Sequence, residues 1–187
     1  MNSKLFSGEL ARLAALEAET YAEAAARWSR DSEYWRLAHP TPAQPRLAKY
    51  IQHELEREFE SPEGIEFAIR TLADDRLIGS TGLWLGQPTH GEAWVGIHIG
   101  EREYWGKGYG TDAMRIILRY AFTELNLHRV SLSALATNAR AIRSYEKAGF
   151  VVEGRGRHLA RYEDMPWDEV FMGILREEWE DNLKRGA

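Results

Sequence analysis

Trp105-Gly106-Lys107-Gly108-Tyr109-Gly110-Thr111 separates a β-rich run from the strongest amphipathic helix pattern in the chain. Glycines at alternate positions let a backbone approach a ligand closely and adopt positive φ. The helix that opens behind them has unpaired amides and a partial positive charge at its start. Together these make a cradle for an anion, most often phosphate or pyrophosphate. No Gly-Lys-Ser/Thr occurs here, so this is not a Walker phosphate loop, and the spacing does not fit the dinucleotide fingerprint. A tight strand-to-helix turn that needs glycine for geometry alone is the other reading of the same residues.

Working outward, Ala113, Met114, Ile117, Leu118, Ala121, Phe122 and Leu125 recur at spacings of three and four, one face of a helix. Upstream, residues 65–72 and 77–85 read as strands joined by a hairpin at 73–76. Residues 92–100 read as a third strand, with Trp94, Gly96 and His98 alternating against Val95, Ile97 and Ile99. Further upstream, helices are expected over 17–30 and 46–58. Between them lies an irregular aromatic stretch through Tyr34, Trp35 and His39, closed by Pro40, Pro42 and Pro45.

Downstream, a strand (129–135), a helix (138–148) and a strand opening at Phe150 follow. A polar, aromatic loop over 157–167 leads to a last strand (170–175) and a short helix (177–184). The order αα, βββ, α, β, α, ββ predicts an α/β protein with a mixed sheet and helices on its faces.

The helix over 138–148 carries its own signals. Asn138 is a good N-cap and Gly149 a left-handed C-cap. Ala141, Ile142, Tyr145 and Ala148 share one face, so Tyr145 points inward. By itself that reads as a core tyrosine.

Composition narrows the field. The chain has 187 residues, 44% hydrophobic and 11% aromatic, enough for one domain (1–187) with its own core. Zero cysteine excludes disulfide scaffolds, Cys-based zinc sites and a cysteine nucleophile. The net charge of −5 argues against nucleic acid as the default partner. Of 24 basic residues 19 are Arg, a bias that reads as a GC-rich genome signature. No apolar run is long enough to span a membrane, residues 1–10 lack a secretory pattern, and a cytoplasmic location is expected.

The glycine turn and the segment Asn138-Ala139-Arg140-Ala141-Ile142-Arg143-Ser144-Tyr145-Glu146-Lys147-Ala148-Gly149-Phe150 together resemble the GNAT superfamily of acetyl-CoA-dependent N-acetyltransferases. The turn is similar to its Arg/Gln-x-x-Gly-x-Gly/Ala pyrophosphate loop, with Trp105 where Arg or Gln commonly stands. The Trp-Gly-Lys-Gly-Tyr form, with Glu153-Gly154, Asp164, Met172 to Leu175 and Glu178-Trp179, resembles the branch of ribosomal-protein N-terminal (alanine/serine) acetyltransferases. The likeness runs from Ile65 to Trp179.

That resemblance implies a mostly antiparallel sheet of six to seven strands with flanking helices. It implies acetyl-CoA as cosubstrate, no metal, and direct attack of a primary amine on the thioester. Trp105, Gly106, Lys107, Gly108, Tyr109, Gly110 and Thr111 would hold the pyrophosphate. Ile97, His98 and Ile99 would pair with the pantetheine arm as an added strand, and a strand amide would stabilise the oxyanion. Asn138 would contact the arm near its thiol end, and Tyr145 would be the general acid for the leaving thiolate.

The general base is left open. The branch's strand Glu corresponds to Ala160 here; His158 is the first candidate, followed by Glu92, His98, Glu163 or a water relay. Asp164 reads as a loop-ordering residue. Tyr34, Trp35, Arg36, Tyr162 and Trp167, with Trp84 or Trp94, are expected around the acceptor, and the same aromatics would serve equally as half-buried core. The acceptor is expected to be a protein N-terminal amine; a small amine (polyamine, amino sugar or antibiotic) or a non-catalytic acyl-CoA-binding role is the alternative. A homodimer is a family habit.

Overall fold

The structure, a computed structural model, describes residues 4–39, 41–58, 64–86, 90–162 and 165–185. Its elements are β1 (Ala11–Ala15), α1 (Ala18–Trp28), α2 (Ser32–Ala38), α3 (Ala48–Glu58), β2 (Gly64–Thr71), β3 (Leu77–Leu85) and β4 (Glu92–Ile99). After a 3₁₀ turn (Arg102–Tyr104) come α4 (Tyr109–Thr123), β5 (Arg129–Leu135), α5 (Ala139–Ala148), β6 (Val151–Tyr162), β7 (Met165–Leu175) and α6 (Arg176–Arg185). Seven strands form one sheet in the order β1-β2-β3-β4-β5-β7-β6. Every neighbouring pair is antiparallel except β4 and β5, which run parallel.

The sheet is covered on both faces. Adjacent residues of β2 show this directly: Ile69 packs with the stripe of α4 (Ala113, Met114, Ile117, Phe122), whereas Ala68 packs with Tyr21, Trp28, Ile51 and Leu55 from α1 and α3. Side chains that alternate along a strand leave it on opposite faces, so one short run serves two cores.

Two expectations are corrected, and one strand was not expected at all. The aromatic stretch at Tyr34 and Trp35 is helical: Asp31 caps α2 by accepting the Tyr34 N–H at 3.1 Å, and Trp35 is buried. The first proline falls only after the helix has ended. The expected 157–167 loop is mostly strand, because β6 and β7 form a long hairpin with bulges at Val152/Gly154 and Gly156/Ala160. The bulges interrupt the alternation that a strand reading needs.

The strand without a sequence expectation is β1. Ala11–Ala15 has the composition of a helix, and tertiary pairing overrides that preference. The strand pairs with β2 from Ala11↔Thr71 to Ala15↔Phe67. It is tied to α4 by the buried Asp112, whose carboxylate accepts the N–H groups of Glu9, Leu10 and Ala11 at 2.8–3.0 Å. Arg119, two turns on, donates to the carbonyls of Lys4, Leu5 and Ser7.

Candidate active site

The parallel pairing of β4 with β5 holds over Glu92↔Arg129, Ala93↔Val130 and Trp94↔Ser131. Beyond it β5 continues along β7 to Leu135 and β4 continues along β3 to Ile99. The two strands therefore diverge from Val95 onward, and there the β5-facing edge of β4 has no strand partner among the described residues. An interior strand edge of this kind can accept an extended, amide-bearing molecule.

The cleft in this gap has a volume of about 1070 Å³, its open mouth included. Ile97, His98 and Ile99 line it from β4, and Asn138, Arg140 and Tyr145 from α5. Trp105, Gly106, Gly108, Gly110 and Thr111 line it from the glycine turn, and Tyr34, Leu37 and Ala38 from α2.

At the turn, Gly106 and Gly108 adopt φ of +72° and +92°. Gly108 is the N-cap of α4 and makes no side-chain cap bond, and no such bond is made by another of the described residues. The first-turn amides are thus left for a ligand, as an anion site requires. Trp105 folds back, its indole Nε1–H donating to the Ile99 carbonyl at 2.7 Å. The Arg140 guanidinium stands 3.8 Å from the centroid of that ring and Arg102 4.8 Å. Arg102 is committed to Asp31 and Glu33. Arg140 has no hydrogen-bonded partner among the described residues, and burial draws its pKa down from the usual arginine value.

Tyr145 sits on α5 beside Phe150 at a ring separation of 6.2 Å, with Asn138 capping the same helix through the Ala141 N–H. No described group hydrogen-bonds its hydroxyl, and burial pushes its pKa up to about 12. It therefore holds its proton at neutral pH. His98 shares a 3.0 Å hydrogen bond with Ser80, whose Oγ lies 2.8 Å from the Tyr21 hydroxyl. His39 lies 5.4 Å from the His98 ring and stacks on Trp35. Burial brings the pKa of His98 down to about 3 and that of His39 to about 4, so both imidazoles are neutral at pH 7.

The other expected site residues are placed elsewhere. Lys107 is exposed, and Tyr109 packs edge-on against Tyr104 at 4.9 Å; neither lines the cleft. Trp35 is buried behind α2, its indole N–H on Thr41. Trp84 and Trp94 lie on the sheet face, half-exposed. His158 is exposed on the β6 bulge at φ +57°, its backbone N–H bonded to Asp168, outside the cleft lining. Glu163 and Asp164 lie outside the described residues, as does the side chain of Tyr162.

Sequence reasoning missed Arg140, Arg143 and Lys147, the cations that line the cleft from α5. A signal was present: their spacing of three and four puts them on one helix face. Arg140 also stands in a helix first turn, where the macrodipole disfavours a cation. Among the described residues no group of His, Cys, Asp and Glu could hold a metal ion, and no helix is long and apolar enough to cross a membrane.

The splayed parallel pair, the glycine turn and Tyr145 of α5 meet at this one cleft. The acetyltransferase (GNAT) domain family matches residues 11–151, and this chain belongs to that family. It is 35% identical over 125 residues to "Probable N-acetyltransferase YjcK" of Bacillus subtilis (strain 168), covering 65% of this chain and 67% of that one. It is 34% identical over 124 residues to "Putative ribosomal N-acetyltransferase YdaF" of the same organism, covering 66% of each. The chain thus spans about two thirds of the length of these curated relatives.

Among solved structures, the spermidine N-acetyltransferase of Vibrio cholerae in complex with CoA and spermine superposes with a TM-score of 0.81. That match is 24% identical and covers 91% of this chain and 98% of the other. Acetyl transfer from acetyl-CoA to an amine is the reaction of this family. The alanine/serine N-terminal branch expected from the sequence does not stand out among the relatives, which carry general or ribosomal names.

Proposed function

We propose that this chain acetylates the primary amine of a small molecule, with Tyr145 as the proton donor to the leaving thiolate. One observation carries the reading: the edge of β4 at Ile97 to Ile99, Tyr145 of α5, and Tyr34, Leu37 and Ala38 of α2 all line one cleft. The departure from the ribosomal-protein pattern at Ala160 also favours a small acceptor over a protein N-terminus.

The residues present fit acetyl-CoA, which when bound supplies a thioester acyl group and a thiol leaving group. The uncapped amides of α4 and the stacked Arg140 would bind the pyrophosphate, an assignment that includes Gly106, Gly108, Gly110 and Thr111. The free edge of β4 at Ile97 to Ile99 would align the amide-bearing arm, and Asn138 would stand beside it.

Tyr145 holds its proton at Oη up to strongly alkaline pH. His98, neutral and on the cleft wall, accepts or donates a hydrogen bond but does not store a proton. The amine therefore has to arrive uncharged, losing its proton to solvent, and attack directly in a complex with both substrates. Of the two histidines considered as bases, His98 lines the cleft and His158 does not.

Thiol release across a panel of small amines and N-terminal peptides tests this. Turnover with small amines, abolished in Tyr145→Phe, is the expected result. Turnover only with peptides overturns the acceptor class, and acetyl-CoA binding without turnover on any amine indicates a binding module instead.

A further inference from the structure

Resting on the amine-acetylation reading, we infer that Ser80, seated by Tyr21, is a positioning residue that holds His98 as its Nε2–H tautomer. Nδ1 is thereby presented to the cleft as an acceptor for an N–H of the attacking amine. Three elements supply these residues. Ser80 and His98 are register partners on β3 and β4, and Tyr21 belongs to α1, which packs on that face of the sheet.

The contacts are short and shielded. His98 Nε2 lies 3.0 Å from Ser80 Oγ, and Ser80 Oγ lies 2.8 Å from Tyr21 Oη. Ser80 and Tyr21 are both buried, so solvent does not compete for the bond between them. The Tyr21 ring is set edge-on against Trp28 at 5.7 Å, and Trp28 in turn donates its Nε1–H to Glu101 at 3.0 Å. At Gly79, next to Ser80, β3 lies so close to β4 that a Cβ would come far inside contact distance of the His98 carbonyl oxygen. The strands therefore fix Ser80 against His98, and α1 fixes the phenol against Ser80.

The second ring nitrogen faces a different environment. Nδ1 of His98 has no hydrogen-bond partner among the described residues, yet none of their buried side-chain nitrogens or oxygens lacks one. Nδ1 is therefore accessible, and the space that His98 lines is the cleft. The His39 ring, 5.4 Å away and stacked on Trp35, limits how far the imidazole can swing.

Counting hydrogens links the two ends of this chain. The Ser80 hydroxyl has one proton and two neighbours, so it donates to one and accepts from the other. Donating to Tyr21, it accepts from His98 Nε2–H and leaves a lone pair on Nδ1. Donating to His98, it forces the proton onto Nδ1. The bond made at one imidazole nitrogen sets the state of the other. Nε2–H is also the intrinsically preferred form of a neutral histidine side chain, and His98 is neutral because burial brings its pKa down to about 3.

The reacting amine needs that form. An uncharged primary amine has N–H groups to donate and one lone pair, which must face the thioester carbon. A wall that accepts an N–H holds the nitrogen and leaves the lone pair free. A wall that donates engages the lone pair and blocks attack. Alignment of the reacting atoms is worth a large part of a rate enhancement, so the tautomer two bonds away from Tyr21 bears on turnover.

Long-range ¹H–¹⁵N spectra at pH 7, on protein labelled with ¹⁵N-histidine, distinguish Nε2–H from Nδ1–H. The His98 signals are those missing from His98→Phe. The wild type is expected as Nε2–H. Tyr21→Phe removes the acceptor of the Ser80 proton, which then turns to His98, so the ring shifts toward Nδ1–H. In parallel, kcat/KM for butane-1,4-diamine should fall about tenfold in Ser80→Ala and in Tyr21→Phe, with the KM for acetyl-CoA within about twofold. Ser80→Thr keeps the hydroxyl and should stay within about threefold of wild type. A pair with a structural role alone lowers melting temperatures without moving the tautomer. Nδ1–H in the wild type, a tautomer indifferent to Tyr21→Phe, or an unchanged kcat/KM in Ser80→Ala overturns the inference. If no amine is acetylated, the function fails first and the spectra decide the positioning: Nε2–H that shifts in Tyr21→Phe supports it, and a ring that does not respond overturns it.

Discussion

The Arg140 guanidinium stands 3.8 Å above the Trp105 ring, at the point where the glycine turn enters α4. The family pattern commonly has an Arg or Gln at the Trp105 position. Here an indole occupies it, anchors the turn to the Ile99 carbonyl, and carries on its face a cation from α5. The charge is thus restored from a different helix. Trp105→Ala and Arg140→Ala should each raise the KM for acetyl-CoA about tenfold with kcat within about twofold of wild type. Initial rates at varied acetyl-CoA check this, and an unchanged KM in Arg140→Ala would remove Arg140 from the cofactor site.

Glycines of the turn differ in what they do. Gly106 has open space where a Cβ would go, yet its φ is +72°; Gly110 has no left-handed φ, and its nearest neighbour, Ser144 Oγ, would be at 3.6 Å. Gly106→Ala should therefore cost about 1–2 kcal/mol of local backbone strain and weaken acetyl-CoA binding. Gly110→Ala should bind acetyl-CoA as the wild type does. Calorimetric titration of both variants separates conformation from space.

Tyr145→Phe keeps the packing of α5 against Phe150 and removes only the proton donor. The expected kcat is lower by at least about 10²-fold, with the KM for acetyl-CoA little changed. Because the tyrosine stays protonated to about pH 12, kcat should show no alkaline limb from it below about pH 10. Equal turnover of the two forms at saturation rules out the assignment.

His39 and His98 give the fold an acid sensitivity. Burial holds their folded pKa values at about 4 and about 3, below the unfolded 6.5. The unfolded chain binds protons first as pH falls, so their contribution to stability is intact above pH 6.5 and declines from there toward pH 4 and pH 3. Each can contribute a slope of up to about 1.4 kcal/mol per pH unit in that window. Denaturant midpoints of wild type and His98→Phe between pH 7 and pH 4 measure it; the variant should show the shallower decline.

Asp112 ties the N-terminal strand to the cofactor helix. Its buried carboxylate accepts three backbone N–H groups, and Gly8 lies so close that a Cβ would come far inside contact distance of its oxygens. Asp112→Ala leaves those donors unpaired and should destabilise the protein by about 3 kcal/mol. Thermal unfolding of this variant, beside a surface control such as Glu124→Ala, reads the loss.

The β-meander, the cofactor helix and α5 were legible because each repeats one period long enough to show: alternation over 92–100, threes and fours over 113–125. β1 was not, since Ala-Arg-Leu-Ala-Ala favours a helix by itself and becomes a strand only by pairing with β2 and docking on Asp112. Those contacts reach across about fifty to about a hundred residues of chain and leave no local trace. α2 was hidden by three nearby prolines, although Asp31 three residues before Tyr34 is a cap signal.

At the site, the glycine turn and Tyr145 follow from residue order. Tyr34 was expected there too, but the stacking of Arg140 on the Trp105 ring joins two segments far apart in the chain and is visible only in the packing.

The acceptor is tested most directly by competition in one tube. Wild-type protein, acetyl-CoA, butane-1,4-diamine and alanine- and serine-initiated peptides at equal concentration are combined, and the acetylated products are weighed by mass spectrometry. Acetyl groups on the diamine, absent when Tyr145→Phe replaces the wild type, are the predicted result. Acetyl groups on the peptide α-amines alone would contradict it.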